Sequence, residues 1–449
     1  MNLPYIPHTL KDRQQMLAEV GVKSIEDLIT VPEEIRLSSP LNLPSGISEI
    51  QLTREIKNFS RQNASLEEYT CFLGAGVYDH FIPAVLEHLA SRSEFYTCYT
   101  PYQAEASQGT LQVIYEYQTL ICNLFKMDVS NASMYDGAAS LAEAALMAYR
   151  IRKGEKFLVA KTLHPEYYQV LSTYTKPLGI KLIQIPCTPD GTLDLNRLED
   201  EVDGRTTGVI VQNPNFFGYL ENMQEIEKIA HKFDSLYIVS CDPVSLGLLS
   251  PPGEYNADIV VAEGQSLGSP PYLGGECLGI FTTRKEFLRQ MPGRIVGETQ
   301  DKKGKRAFVL ILQTREQHIR RERATSNICT NQALNALRAC IYLSCLGKEG
   351  LKKVALFCLK NSHYLKEKIE NLPGYSSPFS APFFKEFVIK VPASCEKINQ
   401  RLLEEKILGG LDLGRFYPEL KNYLLFCATE KRTEKEMDKL VSLLGEING

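Results

Sequence analysis

The chain has 449 residues, 44% of them hydrophobic and 23% charged, with a formal net charge of −4. Such a composition is typical of a globular protein with two domains and a terminal arm, and its slight acidity argues against binding to nucleic acid or an anionic membrane. No stretch approaches the roughly 20 apolar residues of a membrane span, and the first residues lack the pattern of a secretory signal.

Residues 1–65 are predicted to form an N-terminal helical arm. Short helices are expected at 10–22 and 24–30, and a longer amphipathic helix is expected at 48–63. A stretch rich in proline and serine separates them. We expect this arm to pack on a neighbouring chain rather than to fold alone.

Residues 66–325 alternate between helical and strand patterns and are predicted to form a large α/β domain. The predicted helices lie at 111–126, 140–151, 165–179, 193–202 and 222–234. The predicted strands lie at 156–160, 180–186, 206–214, 236–243, 257–264 and 277–283. Apolar strands separated by amphipathic helices indicate a mostly parallel sheet covered on both faces. Sites in such sheets lie beyond the carboxyl ends of the strands.

The pattern changes over residues 326–449, which are predicted to form a smaller α+β domain. Two helices, at 331–347 and 348–372, are followed by strand, helix, strand and helix at 384–391, 395–407, 422–429 and 434–447. A large doubly wound domain followed by a smaller α+β domain is the layout of fold type I pyridoxal-phosphate enzymes. The layout alone does not decide function, because many enzymes share it.

The twelve cysteines are scattered and include no Cys-x-x-Cys pair. Most lie in apolar stretches, such as Cys122 and Cys358, which is typical of reduced, buried thiols in a cytoplasmic protein. The seven histidines do not cluster with the cysteines. We therefore expect a cytoplasmic location and no metal site.

Four long motifs, at 99–124, 131–148, 241–268 and 320–339, carry a resemblance that extends over nearly the whole chain. With them the chain resembles the first-subunit (alpha) form of the glycine cleavage system P-protein, glycine dehydrogenase (decarboxylating). The resemblance implies a fold of the pyridoxal-phosphate-dependent transferase type. It also implies that the chain, with a beta subunit in an α2β2 assembly, decarboxylates glycine and releases carbon dioxide. The aminomethyl group passes to the lipoyl arm of an H-protein, and the beta subunit binds the pyridoxal phosphate.

The family resemblance explains why this chain has no lysine at the position of the cofactor lysine. In the beta subunit the cofactor lysine lies eight residues after the aspartate of an Ala-Asp pair, and here that count from Ala257-Asp258 gives Gln265-Ser266. No lysine occurs at 233–284, and a serine hydroxyl cannot form the Schiff base that holds the cofactor. The resemblance therefore implies no catalytic residue in this chain.

Two alternatives to the hypothesis that the chain is an alpha subunit stay open. One is an independent pyridoxal-phosphate enzyme that uses an unexpected lysine, for which Lys161 after an earlier strand is the candidate. The other is a non-catalytic assembly protein unrelated to glycine.

The resemblance also outlines a vestigial cofactor pocket. Its residues are Asp136, Gly137, Asp242, Gln265 and Ser266. Asp136 precedes a turn where catalytic relatives bind phosphate, so its carboxylate either competes with the phosphate or caps the helix. Asp242 resembles the aspartate that pairs with the pyridine nitrogen, and is here either a relic or an anchor for its loop. The loop at 274–275 lines this pocket or the surface met by the partner.

Two segments are implied to reach the partner's active site, because fold type I sites lie at subunit interfaces. The first carries tyrosines and hydrogen-bonding side chains suited to a substrate carboxylate, or else plugs the interface without chemistry; its residues are Tyr99, Tyr102, Gln103 and Glu105. The second carries candidate donors to the partner's phosphate; they are Thr325, Ser326 and Asn327. The arginines just before it, at 315–323, are otherwise expected to form a solvated or ion-paired face.

Overall fold

The structure is a computed structural model that describes residues 7–29, 31–37, 39, 41–272 and 277–447. It divides into two compact units, Met1–Ala64 and Ser65–Gly449. Within the described residues, no helix combines the length and the apolar character needed to cross a membrane.

Helices and strands alternate through most of the chain. The helices are α1 (Leu10–Val20), α2 (Glu49–Ser60), α3 (Ala84–Ala90), α4 (Ser93–Tyr96), α5 (Gln108–Phe125), α6 (Gly137–Ile151), α7 (Pro165–Thr175), α8 (Leu195–Glu201), α9 (Met223–His231), α10 (Gln317–Arg320), α11 (Ala333–Glu370), α12 (Cys395–Glu404) and α13 (Glu434–Glu446). The strands are β1 (Thr70–Cys71), β2 (Val129–Ser130), β3 (Lys156–Ala160), β4 (Lys181–Ile185), β5 (Thr206–Asn213), β6 (Leu236–Cys241), β7 (Ile259–Glu263), β8 (Gly279–Thr283), β9 (Ile295–Gln300), β10 (Arg306–Ile311), β11 (Glu386–Lys390), β12 (Ile407–Leu408), β13 (Leu411–Asp412) and β14 (Tyr423–Cys427).

The first unit owes its helices to local caps. Thr9 and Asp12 form a reciprocal capping box at the start of α1, and Ser48 and Gln51 form another at the start of α2. Neither helix buries any of its residues. The apolar side of α2 is therefore exposed to solvent.

A seven-stranded sheet, counted over the described residues, organises the larger part of the second unit. Its strand order is β2-β8-β7-β6-β5-β3-β4. The strands from β7 to β4 are parallel, whereas β8 and β2 add antiparallel pairs at one edge. In register, Asn213 lies opposite Cys241, which lies opposite Ala262. The carboxyl ends of β5, β6 and β7 therefore lie side by side.

A smaller antiparallel sheet, of order β11-β14-β13, has a hydrophobic core of its own. Phe387 and Phe426 from its strands pack there with Phe72 and Phe216, which come from much earlier in the chain. The α/β fold with a mostly parallel central sheet is as predicted. The boundaries at 65/66 and 325/326 stay predictions.

Helix α11 connects the two cores and is broken where the sequence predicts one helix to end. Gly347 has φ 58° and ψ −172°, which is non-helical and accessible to glycine. Before this break Ala339 packs in the large core, and after it Leu365 packs in the smaller core.

The hairpin of β9 and β10 was not predicted from the sequence. Its strands pair in register from Ile295–Ile311 to Gln300–Arg306. Phe308 and Val296 bury apolar surface against α5. The outer half of β9, Glu298–Gln300, is polar and largely exposed, which obscures the strand pattern there.

Candidate functional site

The five residues of the predicted pocket lie at the carboxyl edge of the large sheet. Asp242 follows β6, Gln265 and Ser266 follow β7, and Asp136 and Gly137 begin α6. A cavity of about 30 Å³ lies at this edge beside Asp242, the one of the five residues that lines it. Its lining includes Tyr78, His164, Tyr167, Asp242 and Glu263.

Two carboxylates of the chain itself satisfy the N-terminus of α6. Asp136 Oδ1 accepts the Ala139 N–H at 2.7 Å, as an N-cap does. Glu263 Oε2 accepts the Gly137 N–H at 3.0 Å. Two of the free N–H groups at the positive end of the helix, which can form an anion site in this position, are thus bonded to carboxylates of the chain itself.

Glu263 was not identified from the sequence, although it accepts three backbone N–H groups at this edge. Its Oε1 also accepts the N–H groups of Gln265 at 2.9 Å and Leu278 at 2.7 Å. Burial raises the pKa of Glu263 to about 7, even though these hydrogen bonds oppose the shift. The Tyr167 hydroxyl lies against Gly137, where a Cβ would collide with it.

Asp242 pairs with a lysine from the smaller lobe. Lys385 Nζ lies 2.7 Å from Asp242 Oδ2, and Lys385 is only 1% exposed. Burial opposes the charged ammonium, but the attraction of Asp242 outweighs it and raises the pKa of Lys385. Because Lys385 lies 143 residues after Asp242 and precedes β11, no local sequence pattern reveals the pair.

The Lys385 ammonium has two further partners, both from the segment before α3. His80 Nε2 lies 3.1 Å away, and the centroid of the Tyr78 ring lies 3.4 Å away. His80 Nδ1 lies 2.6 Å from Glu430 Oε2, so we assign the proton of His80 to Nδ1. Burial disfavours a charged Glu430, but His80 lowers the pKa of Glu430 to about 2.

Tyr78 is held in place from both lobes. Its hydroxyl donates to Glu386 at 2.8 Å, and its backbone N–H donates to Gln265 Oε1 at 2.9 Å. Gln265 also donates to the Tyr78 carbonyl at 3.1 Å. Gln265 therefore serves as a clamp on the segment that carries Tyr78 and His80.

Pyridoxal phosphate does not fit this pocket. A cavity of about 30 Å³ is far below the roughly 300 Å³ of small ligand sites. The partners for a phosphate and for a ring nitrogen are taken by Glu263 and Lys385. Ser266 is 2% exposed, and its hydroxyl has no hydrogen-bond partner among the described residues.

Lys161, the alternative nucleophile, lies outside the predicted pocket. Its ammonium pairs with Glu419 at 2.6 Å and is 39% exposed at the side chain. It lies in a separate, open cleft with Arg415 and Tyr417. The loop at 274–275 lies outside the described residues.

The first predicted partner-facing segment lies on the surface. Tyr99 is 78% exposed, and Gln103 and Glu105 are also exposed. Tyr102 is anchored, because its hydroxyl accepts a hydrogen bond from buried Arg294 at 2.9 Å.

The second segment ends four residues before another partner of the same arginine. Arg294 also donates to Asn331 at 3.5 Å, four residues after Asn327. Within the segment, Ser326 Oγ accepts the Ile328 N–H at 3.1 Å, whereas Asn327 is exposed. Thr325 is fixed by its N–H, which donates to the Arg315 carbonyl at 3.0 Å.

The expectation of a solvated arginine face at 315–323 is wrong for Arg315. Arg315 is 8% exposed and donates to the carbonyl oxygens of Leu312, Met291 and Gly293. Burial lowers its pKa. The other arginines of the stretch are exposed and lie on short helical turns rather than one helix.

One group of metal-ligand types occurs among the described residues. His80, Cys358 and Glu430 place their ligand atoms within 4.8 Å of one another. Glu430 is already bonded to His80, and the Lys385 ammonium at 3.1 Å from His80 repels a second cation. The absence of a metal site stays a prediction.

Comparison with known proteins gives one consistent family. The family described as glycine cleavage system P-protein matches residues 4–444. A probable glycine dehydrogenase (decarboxylating) subunit 1 from Carboxydothermus hydrogenoformans is 53% identical over 444 residues, 99% of each chain.

Solved structures agree with this match. The crystal structure of a glycine decarboxylase (P-protein) of the glycine cleavage system, in inhibitor-bound form, is similar with a TM-score of 0.92 and 42% identity. The match covers 99% of this chain and 100% of that one. A C-DES variant with glycine linked to its PLP cofactor has a TM-score of 0.63 and 16% identity over 85% of this chain and 98% of that one, a likeness of fold alone.

Proposed function

The chain belongs to the glycine cleavage system P-protein family, and from this premise we propose that it is the first (alpha) subunit of a two-chain glycine dehydrogenase (decarboxylating). This oxidoreductase decarboxylates glycine, releases carbon dioxide and transfers the aminomethyl group to the lipoyl group of an H-protein. The chain acts only together with its beta subunit. Likeness over 99% of the chain to a relative named subunit 1 supports this assignment.

The observation that carries the proposal is a cofactor pocket filled by the chain's own side chains. Glu263 holds the N–H groups at the start of α6, and Lys385 holds Asp242. No lysine lies at 233–284, and Ser266 stands where the cofactor lysine is expected. The reacting centre therefore belongs to the beta subunit, which binds pyridoxal phosphate, and this chain binds none covalently.

The chain's own contribution is to complete the wall of the partner's site. Tyr99 offers an exposed ring and hydroxyl, suited to pack on a substrate and donate to its carboxylate. Asn327 and its neighbours offer donors for a phosphate. Arg294 contacts both Tyr102 of the first segment and Asn331, four residues after the second, which supports a common role for the two segments.

We further propose an α2β2 assembly in which the N-terminal arm packs on a partner subunit. Support comes from α2, whose apolar side chains Ile50, Ile56 and Phe59 are exposed. Burial of such side chains at about 25 cal/mol per Å² would favour association. A cytoplasmic location also stays a proposal, supported by the unpaired state of all twelve cysteines.

Reconstitution tests the proposed function. The chain, the beta subunit and the co-expressed pair are each assayed for glycine–bicarbonate exchange with H-protein, and for the absorbance of a Schiff base. We expect activity in the pair only, and a borohydride-reducible cofactor in the beta subunit only. A single complex on size-exclusion chromatography is the accompanying control.

The same experiment separates the two alternatives. An isolated chain that is yellow and yields a labelled lysine with borohydride would establish an independent pyridoxal-phosphate enzyme. A chain that neither binds the beta subunit nor affects exchange would favour an assembly protein unrelated to glycine.

A further inference from the structure

Three groups suited to a primary ammonium surround the Lys385 ammonium. An ammonium has three N–H donors, and here it meets Asp242 Oδ2 at 2.7 Å, His80 Nε2 at 3.1 Å and the face of the Tyr78 ring at 3.4 Å. An anion, a neutral acceptor and an aromatic face together recognise an organic cation. Nothing in the proposed reaction uses this group.

We propose that this pocket is a cation site that the chain fills with its own lysine. In this site Lys385 replaces the cationic ring nitrogen that the corresponding aspartate of a cofactor-binding relative would hold. The pocket is thereby closed to ligands, and the smaller sheet is fixed onto the larger one.

The chain segments that meet here support the second part of the proposal. Asp242 follows β6 of the large sheet, and Lys385 precedes β11 of the smaller sheet. Glu430, which holds His80, follows β14. Because these groups are buried, removal of one charge leaves another unpaired in a medium of low dielectric constant. The pair thus makes separation of the two sheets costly.

This inference rests on the proposed function only for the comparison with a cofactor site. Its chemistry depends on Asp242, Tyr78 and His80 alone. A test without glycine or beta subunit therefore fails or succeeds independently of decarboxylation.

Chemical rescue of the full-length chain provides that test. Lys385→Ala removes three methylene groups and the ammonium, which together match n-propylammonium. We expect the equilibrium constant for unfolding of Lys385→Ala to rise by roughly a hundredfold or more, and n-propylammonium to raise its unfolding temperature in a saturable manner. Neutral 1-propanol, of the same shape, is expected to have a much smaller effect.

Two controls decide the outcome. The double variant Asp242→Asn/Lys385→Ala lacks the anion and should not respond to n-propylammonium, and the wild type should not respond either. Equal rescue by 1-propanol, or rescue of the double variant, would overturn the cation site.

A double-mutant cycle covers the case in which Lys385→Ala does not fold. Lys385→Met and Asp242→Asn are each expected to be less stable than the chain that carries both, because the double variant leaves no unpaired buried charge. Additive losses would show that the two groups do not act as a pair.

Discussion

Removal of the Glu263 carboxylate is the sharpest test of how α6 begins without a phosphate. Glu263→Ala leaves three N–H groups without their acceptor, those of Gly137, Gln265 and Leu278. Each unsatisfied buried donor costs about 1–3 kcal/mol, so the loss is on the order of 3–9 kcal/mol before any relaxation or entry of water. Such a loss is a large fraction of the stability of a typical domain.

Glu263→Gln is the matched variant, because it keeps one of the two oxygens. With the amide oxygen in place of Oε1, it retains the bonds from Gln265 and Leu278 and loses only that from Gly137. The expected loss is about 1–3 kcal/mol. Glu254→Gln, at an exposed glutamate, controls for the loss of one surface charge and should be within about 0.5 kcal/mol of wild type.

Urea unfolding of the full-length chain gives the order of stability, and amide hydrogen exchange locates the effect. We expect the order wild type, Glu263→Gln, Glu263→Ala, with faster exchange at the Gly137 amide in both variants. If Glu263→Ala is as stable as Glu263→Gln, the carboxylate does not satisfy the three N–H donors. The inference that Glu263 takes the place of a bound anion at the start of α6 would then be wrong.

Three further predictions concern activity and pH. Ser266→Lys alone should give neither a borohydride-reducible cofactor nor decarboxylation, because the positions for phosphate and ring nitrogen stay occupied; an active isolated variant would contradict this. Tyr99→Phe and Glu105→Gln should each lower the glycine–bicarbonate exchange activity of the two-subunit complex on the order of tenfold to a hundredfold, since one hydrogen bond to a charged group is worth about 1.5–3 kcal/mol. Size-exclusion chromatography should show that the complex stays intact. Unchanged exchange would indicate that this segment only fills the interface and takes no part in the chemistry. Burial raises the pKa of both Glu263 and Glu386 to about 7. The folded state therefore binds more protons than the unfolded state between the ordinary glutamate pKa and pH 7, and these two groups should make the free energy of unfolding fall as pH rises through that window. Substitution of either glutamate by Gln should flatten the pH dependence of stability measured by urea unfolding at several pH values.

Much of the fold follows from local sequence. The strand predicted at 156–160 is β3 as observed, because an apolar run of that length suits a strand buried on both faces. The break between two helices at Gly347 follows from the freedom of glycine to leave the helical region. The cap at Asp136 is likewise local, because an aspartate bonds the N–H three residues on.

The missing lysine is also a property of the sequence alone, because no folding can supply an amine at Ser266. The parallel order of the strands then requires Asp242 and Ser266 to lie near one edge, since both follow buried strands. The contacts inside the pocket could not be predicted in this way, because the sequence shows which side chains are present but not which of them pair.

Tertiary structure alone decided what fills the pocket. Lys385 reaches Asp242 from a different sheet, and Arg294 joins Tyr102 to the segment near Asn331 across separations of 192 and 37 residues. No periodicity or spacing encodes such contacts, because they depend on how two independently patterned lobes pack together. The prediction of a surface position for Arg315 was wrong for the same reason. A guanidinium can be buried where folding brings carbonyl oxygens around it, and the positions of those oxygens depend on the packing of the whole chain.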